Sequence, residues 1–247
     1  MANLERRRPS RSRAGDCGRA IFYGRARSLP TKNMPHLLEL FCGTKSISKV
    51  FEQHGWTCTS LDFDPKTKPS ICCNILNVTA EMILQRGRPD VIWASPLCTH
   101  YSIARTKAKT PRDLEGSDKL VQKVLDLARY FDVPFFIENP YTGLLKTRDV
   151  IQGVPMRVID YCQYADDDWP GRYRKRTSIW TNTDWYPSRA LCIPRTCNLC
   201  SDGKTHDTTI RTTPGRKNGK RGLQLLYSIP PALPKELVTW LMEINEE

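Results

Sequence analysis

No stretch of the 247-residue chain approaches the ~20 consecutive apolar residues that cross a bilayer, so neither a spanning helix nor a membrane partner is expected. The opening segment MANLERRRPSRSRAG has no apolar run either. An export signal is therefore not expected, and the protein is expected inside the cell, in cytoplasm or nucleus, rather than secreted. Without export, the ten cysteines are not expected to form a disulfide framework. Internal repeats are absent, which excludes a solenoid, and a full G-x-G-x-x-G is absent, which removes the commonest dinucleotide fingerprint. Acidic residues are scarce beside basic ones, 26 against 38, for a formal net charge of +12. Eight Arg against Glu5 and Asp16 in residues 1–27 supply half of that excess, and the remainder lies in the body of the chain. Basic charge in both parts fits a polyanionic partner, most simply nucleic acid.

What is present reads as an α/β chain. Residues 1–33 are rich in Arg, Ser and Pro with no hydrophobic period and are expected to be a disordered basic tail. His36–Phe41 is a short apolar strand, Cys42-Gly43-Thr44 a turn, and Ile47, Val50 and Phe51 lie at helical spacing before Gly55. Cys58–Asp62 is a second strand that ends in an acid, the layout of a nucleotide-binding βαβ unit. Val91–Ala94 is a buried strand and the basic segment Thr99–Gly116 a loop. Asp118–Phe131 is a helix capped by Ser117 or Asp118, and Pro134–Pro140 a strand ending near an acid. Val158–Tyr164 and Thr177–Thr181 read as two more strands, and Lys235–Ile244 as a final helix. The expected domains are the tail 1–33, a catalytic domain 34–181, a small recognition segment 182–222, and a C-terminal segment 223–247 that returns to the catalytic domain. The chain is expected to act as a monomer.

The chemistry gathers around Cys98, a thiol just past the strand Val91–Ala94. In an open α/β sheet the space beyond the carboxyl ends of the strands is where ligands bind. Glu138 lies at the end of the next expected strand, and Arg172, Arg174 and Arg176 follow. In order and local sequence these features resemble the DNA cytosine-5 methyltransferases, particularly the compact versions of viruses and phages. Leu38-Glu39-Leu40-Phe41-Cys42-Gly43 is similar to that family's first cofactor motif. Ser95-Pro96-Leu97-Cys98 with Tyr101-Ser102 resembles its Pro-Pro-Cys nucleophile motif. Ile137-Glu138-Asn139 resembles its Glu-Asn motif, Arg172–Arg176 its Gln-x-Arg-x-Arg motif, and Ser228-Ile229-Pro230-Pro231 the segment that completes the cofactor site. The resemblance covers roughly residues 36–245. The chain departs from the pattern at Lys45 (often Gly), Leu97 (Pro), Pro140 (Val) and Arg172 (Gln).

The resemblance implies a Rossmann-like S-adenosylmethionine-dependent fold with a small Cys-rich, irregular recognition insertion. It implies double-stranded DNA as partner, with RNA possible. Cys98 is the implied nucleophile toward C6 of a flipped cytosine, its pKa lowered by nearby cations. Glu138 is the implied acid at N3, and Arg174 and Arg176 are to hold the base and the thiolate. For the cofactor, Phe41, Gly43 and Thr44 shape the turn, Asp62 binds the ribose hydroxyls with Asp64 as competitor, Asn74 or Asn77 lies near the adenine, and Pro96 borders the site. Two other chemistries stay open: an exocyclic-amino methyltransferase, which Cys98 argues against, and a catalytically weak nucleic-acid binder.

The segment 182–222 is only about 40 residues long, with Lys204, Arg211, Arg216, Lys217, Lys220 and Arg221 available for phosphates. Within it Cys192-x4-Cys197-x2-Cys200-x5-His206 supplies four metal-type ligands where little core is available. A structural zinc on Cys192, Cys197, Cys200 and His206 is the metal reading, although the spacing is not that of a standard finger.

Overall fold

A computed structural model of the chain describes residues 34–106, 108–166, 169–209 and 220–244. The expectations for the tail 1–33 and for Arg211, Arg216 and Lys217 lie outside these residues, as do the side chains of Lys220 and Arg221.

The sheet is built from β1 (His36–Leu40), β2 (Thr57–Asp62), β3 (Ile71–Cys72), β4 (Val91–Ala94), β5 (Phe135–Pro140), β6 (Met156–Asp160) and β7 (Arg176–Thr181). Their order across the sheet is β3-β2-β1-β4-β5-β7-β6. The first five pair in parallel, and β7 runs antiparallel to both of its neighbours. This is the Rossmann-like α/β sheet expected from the sequence. Chain order reverses between β1 and β4, so a crevice opens beyond the carboxyl ends of those strands.

The apolar strands read as continuous runs because both faces are covered. Leu38, Leu40, Ile92, Ala94, Phe135 and Ile137 pack under α3 (Leu114–Phe131) through Val121, Val124 and Leu127. Leu37, Val91, Trp93 and Phe136 face α1 (Ser46–Gln53) and α5 (Ala232–Glu243) through Ile47, Phe51, Leu233 and Leu237. By strand parity Glu39 and Glu138 belong to this second face. α2 (Ala80–Leu84) follows β3, and α4 (Lys220–Tyr227) precedes α5.

Three element boundaries differ from expectation for identifiable reasons. α3 starts at Leu114, where the Asp113 carboxylate accepts from the Gly116 amide at 2.7 Å. Neither expected cap is free for that role: Ser117 is buried, and Asp118 accepts from the Tyr101 hydroxyl at 2.8 Å and from Arg148 at 2.7 Å. β6 stops at Asp160, and Tyr161–Gln163 forms a 3-10 turn instead of continuing the strand. α5 begins at Ala232 with Pro234 in its first turn, where a missing N–H costs nothing.

Candidate active site

The turn after β1 is the most constrained backbone in the described chain. Phe41, Gly43 and Lys45 all adopt left-handed φ values, 58°, 44° and 54°. Such geometry favours glycine, which accounts for Lys45 standing at a position where glycine is frequent. The Lys45 ammonium is anchored on the Lys68 carbonyl at 2.6 Å. Glu39, fully buried beneath the turn, accepts from the amides of Ile47 (3.3 Å) and Ser48 (3.0 Å) and from the Ser48 hydroxyl. It thereby caps the orphan amides of α1. Burial pushes the Glu39 carboxyl up to about 7, against the lowering effect of the Ser48 bonds.

Beyond this turn a cavity of ≈ 230 Å³ lies at the carboxyl ends of β1 and β2, with Phe41, Asp62, Phe63, Asn74, Leu97 and Leu120 in its wall. Three of the expected cofactor residues, Phe41, Asp62 and Asn74, therefore share one cavity. Asp62 also ties the turn together, accepting from the Gly43 amide at 3.0 Å and the Asp64 amide at 2.9 Å. Asp64 is used in its own turn, on the Lys66 amide. Thr44 and Pro96 are not among the lining residues: the Thr44 hydroxyl bonds Ser46 at 2.6 Å, and the Pro96 carbonyl accepts from the buried Asn139 amide at 2.9 Å. The return segment reaches the same place, with the Ile229 amide on the Ser46 hydroxyl at 3.1 Å. Phe63, exposed next to Asp62, was not anticipated; its signal was an aromatic directly after the acid that ends β2.

Cys98 lies four residues beyond β4, and Glu138 is in the neighbouring strand, where Ala94 pairs with Ile137. The thiol is half-buried. The Glu138 carboxylate accepts from the Tyr161 hydroxyl at 3.0 Å and from the Lys175 ammonium at 3.4 Å, and that ammonium also sits 4.7 Å above the Tyr161 ring. Burial pushes the Cys98 thiol up, the Glu138 charge pushes it further, and Lys175 opposes both. The resting thiol is thus not the pre-ionised one expected.

No family model matches the chain. Among solved structures, a methyltransferase of Entamoeba histolytica is 15% identical, with a TM-score of 0.40 over 66% of this chain and 59% of that one. The Dnmt2 methyltransferase of S. pombe is 14% identical, with a TM-score of 0.42 over 72% of this chain and 59% of that one. Against curated proteins, the chain is 30% identical over 224 residues to the "Probable DNA (cytosine-5)-methyltransferase" of Frog virus 3 (isolate Goorha), covering 82% of this chain and 98% of that protein. The chain belongs to the DNA (cytosine-5)-methyltransferase family. It is an S-adenosylmethionine-dependent methyltransferase.

In this methyltransferase Arg174 and Arg176 are both engaged by one buried carboxylate. Arg176 makes a bidentate pair with Asp160, at 2.7 and 3.1 Å, and Arg174 adds a contact to the same carboxylate at 3.4 Å. Asp160 stands opposite Arg176 in the β6–β7 register and has no side-chain exposure. Alternation along an extended chain puts residues 174 and 176 on one side and residue 175 on the other. Lys175 therefore lies on the side of Glu138, with which its ammonium pairs at 3.4 Å, and the two arginines pair with Asp160 at the sheet edge.

The Cys-rich segment also departs from expectation. Cys162, Cys192, Cys197 and His206 form the group of potential ligands, and Cys162 stands where Cys200 was expected. The Cys200 thiol instead donates to the Asp202 carboxylate at 3.5 Å. Sequence spacing within the segment could not reveal Cys162, which comes from the 3-10 turn after β6, 30 residues before Cys192. In the loop after Cys98, Arg112 is tied to the carbonyls of His100 and Ser102 and Arg105 to Thr110, so both act as struts of the loop. No helix of the described residues is long and apolar enough to cross a membrane.

Proposed function

We propose that the methyltransferase acts on cytosine C5 in DNA through a covalent bond between Cys98 and C6. The observation that carries this reading is the grouping of Cys98, Glu138 and Lys175 at the carboxyl edge of the sheet, next to the Phe41–Asp62–Asn74 cavity. The donor set of that cavity suits S-adenosylmethionine. Phe41, Phe63 and Leu97 offer apolar walls for a purine, Asp62 a carboxylate for ribose hydroxyls, and Asn74 an amide. When bound, S-adenosylmethionine supplies an electrophilic methyl group.

C5 of cytosine is a weak nucleophile. The Cys98 thiol passes its proton to the Glu138 carboxylate as the sulfur attacks C6, which breaks the C5–C6 double bond and sends its electrons toward C5 and N3. Glu138 places a proton at N3 as charge arrives there, and Tyr161 and Lys175 hold that carboxyl in position. Lys175 stabilises the thiolate as it forms, which offsets the burial that disfavours it in the resting state. After C5 is alkylated, its proton passes to solvent water, the sulfur departs from C6, and the N3 proton returns through Glu138 to the sulfur, which restores the aromatic ring and the free thiol. A base inside a duplex is out of reach of Cys98, so the cytosine is flipped outward and the Thr99–Gly116 loop closes over the DNA.

Residues 182–222 act as the recognition segment, between the catalytic domain 34–181 and the returning segment 223–247. A cleft of ≈ 440 Å³ lined by Arg174, Lys204 and Thr208 lies there, with the chemistry of a phosphate track.

The test is incubation of the full chain with S-adenosylmethionine and duplex DNA or RNA containing 5-fluorocytosine. A covalent adduct with DNA that is lost in Cys98→Ser is the expected result. Methyl transfer that survives Cys98→Ser overturns the covalent route, and an adduct with RNA alone overturns the DNA assignment.

A further inference from the structure

The four ligand-type side chains described above come from two places distant in sequence. Cys162 lies in the turn after β6, and Cys192, Cys197 and His206 belong to the Cys-rich segment. All four are buried, and their sulfur and nitrogen atoms lie within 4.8 Å of one another. These spacings fit the edges of a metal tetrahedron. Zinc bonds of about 2.3 Å to sulfur and about 2.0–2.1 Å to nitrogen, meeting at the tetrahedral angle, set S···N edges of about 3.6 Å and S···S edges of about 3.8 Å. The Sγ atoms of Cys192 and Cys197 lie 3.5 and 3.4 Å from His206 Nε2.

We propose that Cys162, Cys192, Cys197 and His206 hold one structural zinc ion, which fastens the Cys-rich segment to the turn that carries Tyr161. Three thiols lose their protons on binding, and the neutral imidazole completes a closed four-ligand set with no position for water. The resulting site carries a net charge of −1, and Arg174, which lines the same cleft as His206, provides a neighbouring positive charge. The outer shell is also in place. The Gln163 amide donates to the sulfurs of Cys197 and Cys162 at 3.8 and 3.9 Å, and the Cys192 amide donates to Asp160 at 3.0 Å.

The need for an ion follows from the composition of the segment. Between β7 and α4 its described residues contain no helix longer than the three-residue 3-10 turn Pro194–Thr196. Around Cys192, Cys197 and Cys200 its buried cluster adds only Leu199 from the segment and Cys162 from the turn after β6. So small an apolar group does not offset the entropy of ordering the loop, whereas a metal bond network does. Cys162 makes the ion a fastener between regions, because the next residue toward the N-terminus, Tyr161, donates to Glu138. The ion's presence does not depend on which polymer the enzyme methylates.

The experiment uses the full chain, expressed with zinc in the medium and purified under reducing conditions without chelator. Metal analysis by mass spectrometry should find about one zinc per chain in the wild type and in Cys200→Ser. Cys162→Ser and His206→Ala should each lose most of it. X-ray absorption on the wild type, which needs no variant to fold, should give three sulfur ligands and one nitrogen. Stripping the ion should expose the segment 192–209 to protease while the sheet stays resistant. Less than about half an equivalent of zinc in the wild type overturns the site. Loss of metal from Cys200→Ser with retention in Cys162→Ser overturns the ligand set. A disulfide between any two of Cys162, Cys192 and Cys197 in the protein as purified overturns it as well, and unchanged protease resistance after stripping overturns the fastening role.

Discussion

The parallel half of the sheet and the Cys-rich segment stand for two ways of ordering a chain. In β1, β4 and β5 almost every side chain is buried, and helices cover both faces, so hydrophobic burial alone specifies the structure. In residues 186–209 regular structure nearly disappears, and order rests on a few buried sulfurs, Leu199, a histidine and short polar turns such as Ser201 and Thr205 on Asp207 and Asp202. The groups proposed to react sit on or just past the first kind of structure, and the surface proposed to meet the polymer is built from the second. Rigid strands give the thiol and carboxylate fixed positions, while a stapled loop can change its sequence without disturbing the core.

The sharpest way to break this contrast is core truncation. Phe136 packs against Trp93, Trp185 and Trp240, and Phe136→Ala should cost about 3–5 kcal/mol of global stability in urea unfolding. Leu199→Ala should leave that global transition nearly unmoved and loosen only the segment. Equal shifts in both variants would mean that the two regions unfold as one unit.

A second pair separates two neighbouring cations. Lys175→Met removes the charge beside Glu138 and Cys98, and should lower kcat by about 10–100-fold and slow alkylation of Cys98 by iodoacetamide. Arg174→Met, on the opposite side of the chain, should raise KM for the polymer with kcat largely kept. A reversed pattern would return the arginine to the reacting base.

The mildest effect belongs to the sheet alone. The Glu39 carboxyl, at about 7 in the folded chain against 4.5 when exposed, favours folding fully below pH 4.5 and progressively less as pH rises through 7. Relative to Glu39→Gln, the wild type should lose at most about 3 kcal/mol across that interval, measured by denaturant titration at several pH values. A pH-independent difference between the two proteins would place the Glu39 titration elsewhere.

The same division governs what could be read in the sequence. β1, β4 and β5 were legible because a strand buried on both faces is a short apolar run, and Cys98, Asp62 and Glu138 were legible because they lie at or just beyond strand ends. β3, at two residues, and α2, at five, are too short to carry a period. That Lys175 rather than its arginine neighbours faces Glu138 turns on parity, since one residue of shift sends every side chain to the opposite side. A basic run does not reveal that parity; it was fixed by Asp160 pairing with Arg176 from the adjacent strand. Cys162 was invisible because ligand spacing is a local signal and its partners lie across a strand.

The turn after β1 carries one more consequence. Phe41 and Lys45 hold left-handed backbone that costs about 1–2 kcal/mol per residue relative to the ordinary helical form. A selection for heat resistance alone would favour glycine at both positions, and at Phe41 it would delete one aromatic wall of the cavity proposed to hold the cofactor. Thermal robustness and cofactor affinity therefore pull in opposite directions at Phe41, and stabilised variants of this enzyme should be sought away from that loop.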